Sequence, residues 1–134
     1  MELEELMNQW RKIAMIITID KKTPSINHLH LHRGYHMFLT KEARELKEYI
    51  HTCCLPYDSE RYKDKHLMVH VKIYENWLTK KNEVARKDIS NREKFLIDSI
   101  FDSLGLNDKF IFYHTMQKVQ SNEEKAVVEI GVYI

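Results

Sequence analysis

Arg86-Lys87-Asp88-Ile89-Ser90-Asn91-Arg92-Glu93-Lys94 opens a run that continues from Phe95 to Asp108. Phe95, Leu96, Ile97, Ile100, Phe101 and Leu104 recur at helical spacing and predict a buried stripe. Ser90 with Glu93 three residues later has the form of a capping box, which sets Ser90 as the expected N-cap. Gly105 is the expected terminator, because a left-handed residue ends a helix at least cost when it lacks Cβ. Lys94, Asp98 and Asp102 are four apart and share another face of the helix. Asp88 lies just outside the helix mouth, and Asp108 lies beyond its far end, ahead of an apolar strand-like run.

Working outward, His66 to Tyr74 alternates strictly. Leu67, Val69, Val71 and Ile73 point one way, and Met68, His70, Lys72 and Tyr74 the other, as in a half-buried strand. Phe110 to Val119 and Ala126 to Ile134 read as two more strands, with Ser121-Asn122-Glu123-Glu124 as a hairpin loop between them. Upstream, Thr40 is the expected N-cap of a helix whose face is Ala43, Leu46, Ile50 and Cys53, ended by Pro56. Tyr57 to Lys65 is a polar loop. Ile13 to Asp20 reads as the first strand. Residues 1–12 carry Leu3, Leu6, Met7 and Trp10 at helical spacing behind an acidic first turn, which predicts a short amphipathic arm. The order is β-α-β-α-β-β behind that arm. It implies one α/β (α+β) domain over 13–134, with a mixed sheet of about four strands packed against two main helices.

Composition narrows the functional classes. The 134 residues are 43% apolar with 3 glycines and 2 prolines, which excludes a fibrous or loop-rich chain. No apolar run approaches the ~20 residues of a membrane span, and Met-Glu-Leu-Glu-Glu has the wrong charge for a signal peptide. The 2 cysteines, Cys53 and Cys54, are adjacent and poorly spaced for a disulfide, which predicts a reducing, cytoplasmic setting. Net charge is only +1, but Arg61 to Lys94 holds ten Lys/Arg against five Asp/Glu. His28, His30, His32 and His36 read as a polar strand face or loop, with metal ligation as the sharper alternative.

Hard divalent cations take oxygen ligands, usually one or two carboxylates plus water and substrate phosphate. Asp88 and Asp108 suit such a site if the sheet brings them together. Lys94 would offset phosphate charge, and Asn91 with the free N–H groups of the helix start would bind phosphate oxygens. A solvated ion-pair face shows the same spacing, so a protein-interaction domain with a merely charged helix stays open at this point.

Further motifs carry a resemblance. Pro24-Ser25-Ile26-Asn27 follows the first strand, Phe38-Leu39-Thr40-Lys41-Glu42-Ala43 opens the next helix, and Asp88-Ile89-Ser90-Asn91-Arg92-Glu93-Lys94-Phe95-Leu96-Ile97-Asp98 precedes Asn107-Asp108. In that order, from about Ile13 to Ile134, the chain resembles the RusA-type Holliday-junction resolvases of bacteria and phages. The resemblance implies a homodimeric endonuclease that nicks branched DNA, four-way junctions above all, with Mg²⁺ or Mn²⁺. It implies Asp88, Lys94 and Asp108 as catalytic residues, with Asp88, Asp108 and Asp98 around the metal. Ser90 stands where the family has a second acid; its hydroxyl is a weaker ligand. That leaves a non-cutting junction binder as the alternative. Lys80, Lys81, Arg86, Lys87 and Arg92 are the expected phosphate contacts, joined by Asn91 and Asn27.

Overall fold

The computed structural model describes residues 2–24, 30–33 and 36–133. Among them the elements run α1 (Leu3–Ile13), β1 (Met15–Ile19), β2 (His30–Arg33), β3 (His36–Leu39), α2 (Lys41–Cys54), β4 (Leu67–Glu75), α3 (Ser90–Leu104), β5 (Ile111–Gln120) and β6 (Lys125–Val132). The mixed α+β domain is the expected class. The strands β1, β6, β4 and β5 form one sheet in that order, and β2 pairs with β3 in a separate hairpin.

The alternation in β4 sets the core. Leu67, Val69, Val71 and Ile73 are buried on one face and align with Ile130, Val128 and Ala126 of β6, which in turn face Met15, Ile17 and Ile19 of β1. Leu96, Ile97, Ile100, Phe101 and Leu104 of α3 complete the core with Ala43, Leu46, Ile50 and Cys54 of α2. Cys54, not Cys53, is the fourth member of the α2 stripe, four residues on from Ile50. Thr40 caps α2 as expected, its hydroxyl accepting the Ala43 N–H at 3.2 Å.

Four further expectations change. The residues from Ser121 to Glu124 do not form a hairpin loop between neighbouring strands: β6 lies between β1 and β4, so they step across the end of β4, with the Ser121 N–H on the Glu75 carbonyl. The physical reason lies in α3. As a crossover helix it returns the chain parallel to β4 and fills one edge with β5, and β6 takes the other edge antiparallel. Ile13 closes α1 rather than opening β1. The histidine-rich segment adds the β2–β3 hairpin. Ser90 is the first residue of α3 rather than its N-cap. The cap position is Ile89, whose carbonyl accepts the Arg92 and Glu93 N–H groups, and no side chain caps the helix.

The N-terminal helix lies against β6. Trp10 covers Gly131, where a Cβ would fall 2.3 Å from the indole Nε1, so only glycine admits the ring.

Candidate active site

Gly105 ends α3 with φ 69°, and the Leu106 N–H closes on the Phe101 carbonyl at 3.0 Å. This left-handed reversal turns the chain back on the helix. Asn107 then caps a 3-10 turn, Asp108–Phe110, by accepting the Lys109 N–H at 3.0 Å. Asp108 is thereby carried back beside Asp98.

The result is an open cleft of about 500 Å³ between α3 and the start of β5, lined by Ser90, Glu93, Lys94, Ile97, Asp98, Asp108, Ile111 and His114. A second cleft, of about 430 Å³, shares Asp98 and Asp108 and extends past Asp102 to Asn107. Helical spacing puts Lys94 and Asp98 on one face. Desolvation holds the Asp98 carboxyl above the usual range; Lys94 pulls it down, while Asp108, Asp102 and Glu93 push it further up. Carboxylates that repel one another across an open cleft are the donors a hard cation takes. Among the described residues no three His, Cys, Asp or Glu side chains are gathered closely enough to hold an ion alone. The fit is to a site of one or two carboxylates completed by water and phosphate.

The remaining expected residues divide into groups. Asp88 is exposed just ahead of α3 and is not among the lining residues of the cleft. Lys80 and Lys81 are exposed on a turn where Thr79 Oγ1 accepts the Lys81 and Glu83 N–H groups, and Arg86 is exposed after it. Arg92 is 9% exposed and paired inward with Glu75, and Lys87 is paired with the same carboxylate. Neither cation stands free as the exposed ones do. Asn27 and His28 lie outside the described residues. So do the side chains of Asn91, His30, His32 and His36.

One cleft residue, His114, escapes sequence reasoning, and with it the pairing it makes with Glu93. His114 Nε2 lies 3.1 Å from Glu93 Oε1, and both face the cleft. The register of β5 against β4 places His114 beside Val69, on the helix side of the sheet. Glu93 is readable as a capping residue, and that reading hides its role beside His114.

The family model described as Endodeoxyribonuclease RusA matches residues 21–131. The match takes in every residue of the candidate site and leaves α1 and β1 outside. No curated protein matches the chain. A solved structure described as "Regulation of the dha operon of Lactococcus lactis" is similar with a TM-score of 0.50 and 9% identity, over 98% of this chain. The chain spans 40% of that structure's length, and at such identity the likeness concerns the fold alone.

Proposed function

The chain belongs to the RusA endodeoxyribonuclease family, and from that premise we propose that it cuts branched DNA, four-way junctions in particular, by Mg²⁺- or Mn²⁺-dependent phosphodiester hydrolysis. The observation that carries the reading is the shared cleft: Lys94, Asp98 and Asp108 line one space, where desolvation first, and then the neighbouring carboxylates, raise the Asp98 pKa. Asp98, Asp108 and Ser90 line the cleft and are the residues that would hold the ion, with Asp88 at the helix mouth outside that lining. When bound, it supplies Lewis-acid charge and an activated water. Lys94 places a positive charge where the scissile phosphate becomes more negative. Lys80, Lys81 and Arg86 contact backbone phosphates, which confers affinity without base choice. A two-fold dimer sets two such clefts against opposite strands of a junction. The setting is the cytoplasm of a bacterium, with the gene either the host's or a phage's.

The test is incubation of the purified protein with labelled four-way junction, duplex and flap DNA plus Mg²⁺ or Mn²⁺, beside Asp108→Asn and Lys94→Ala. Paired nicks in the junction are expected, reduced at least about a hundred-fold in either variant with junction binding kept. A folded protein that cuts none of these substrates refutes the reading. Ser90 favours a second one: this uncharged residue lines the cleft where the family pattern has an acid. On that reading the protein binds junctions in a salt-sensitive way without nicking, and Ser90→Asp confers cleavage.

A further inference from the structure

The alternation of β4 does not stop at Ile73. Two residues on, Glu75 takes the next core-facing position and is 1% exposed. A carboxylate removed from water needs cations facing it. Two supply this: Lys87 Nζ at 3.3 Å and Arg92 Nη2 at 3.5 Å from Glu75 Oε2. Each cation is also anchored elsewhere. Lys87 Nζ donates to the Asn76 carbonyl at 2.9 Å, and Arg92 Nη1 donates to the Thr23 carbonyl at 3.3 Å. From β5, Lys118 Nζ donates to the Lys87 carbonyl at 2.6 Å while lying 4.9 Å over the Trp77 ring.

Lys87 and Arg92 bracket Asp88–Asn91 in the chain. One buried carboxylate therefore grips both ends of that segment. Through Arg92 it also reaches Thr23, just ahead of Pro24-Ser25-Ile26-Asn27. Stability alone gives a weak reason for this arrangement, because buried ion pairs seldom outdo apolar residues of similar volume. A leucine at position 75 would simply extend the stripe of Leu67 to Ile73. It would not hold two cations on either side of a short loop.

We infer that Glu75 is a positioning residue: through Lys87 and Arg92 it fixes the Asp88–Asn91 segment at the mouth of α3, in the place from which it meets DNA. The inference rests on the endonuclease reading for its functional consequence and on geometry for the clamp itself.

The experiment uses the full chain as wild type, Glu75→Gln, Glu75→Asp and Lys87→Met. Lys87 is one-third exposed, so its loss leaves Glu75 still paired with Arg92 and preserves a folded variant if Glu75→Gln misfolds. Amide hydrogen exchange is followed in peptides covering 87–92 and 96–104, and single-turnover junction cleavage and junction affinity are measured alongside. Glu75→Gln and Lys87→Met are expected to speed exchange at 87–92 at least about ten-fold while 96–104 stays protected. In Glu75→Gln, cleavage at saturating protein should fall at least about ten-fold, with affinity within about three-fold, as misplacement of reacting groups predicts. Glu75→Asp, which keeps the charge, should recover part of both. Unchanged exchange at 87–92, or a rise spread evenly over α3 and the sheet, overturns the clamp. Faster exchange with undiminished cleavage overturns the positioning role. A wild type that cuts no DNA refutes the endonuclease reading instead, and the exchange data still decide the clamp.

Discussion

The cleft leaves its electrostatic mark on Asp98. Its carboxyl is raised first by desolvation and then by Asp108, Asp102 and Glu93, against the pull of Lys94. A folded-state pKa above the unfolded one favours the protonated form in the fold. The contribution to stability is therefore fully present below the unfolded value and is lost as pH rises through the folded value. Asp98→Asn is expected to stabilise the fold at pH 7, seen as a higher melting temperature, with a gain in unfolding free energy of less than about 1 kcal/mol because the group is solvent-screened. The gain should vanish in acid, below both pKa values. Added Mg²⁺ should stabilise wild type more than the variant, since a bound cation relieves the same repulsion. Thermal melts across pH, with and without Mg²⁺, check all three. Lys94, Asp98 and Asp108 were legible as candidates because spacing alone puts the first two on one face. Glu75 was legible in principle, as the next residue of matching parity in an alternating strand. His114 was not, because its partner is set by strand register.

At the scale of elements, local signals decided most boundaries. Thr40, Gly105 and the alternation of Leu67 to Tyr74 act through their own backbone neighbourhoods, and each forms the expected structure. The capping box at Ser90 failed because Glu93 turns to His114 rather than back to the helix start. The contact of α1 with the sheet includes a close fit, Trp10 over Gly131. Gly131→Ala is expected to cost about 1–3 kcal/mol, the usual range for overpacking. In a Trp10→Ala background most of that penalty should disappear, because the clash is with the indole. Urea unfolding of the four proteins in this cycle measures the coupling.

For the whole molecule, strand order was the feature hidden from the sequence. Turn-forming residues between consecutive strands predict a hairpin, yet Ser121–Glu124 joins strands separated by β4. What decides the matter is non-local: α3 commits one edge of β4 to β5 before β6 exists. Burial follows that order. Ile130 of β6 is 0% exposed between β1 and β4, whereas Met116 of edge strand β5 is 43% exposed. Ile130→Ala is expected to lose about 2–5 kcal/mol in denaturant unfolding. Met116→Ala should stay within about 0.5 kcal/mol, as for surface positions.

The interior place of β6 also bears on synthesis. Strands β1 and β4 are joined through Lys125–Val132, a strand that leaves the ribosome after both of them. While that segment is still in the exit tunnel, the emerging chain carries α2, α3 and an apolar β4 with one flank open. Nascent chains that expose apolar surface and open strand flanks are the ones chaperones must hold. A message truncated before Lys125 would yield a protein with two unpaired flanks, fated to aggregate rather than to fold into a smaller version of itself.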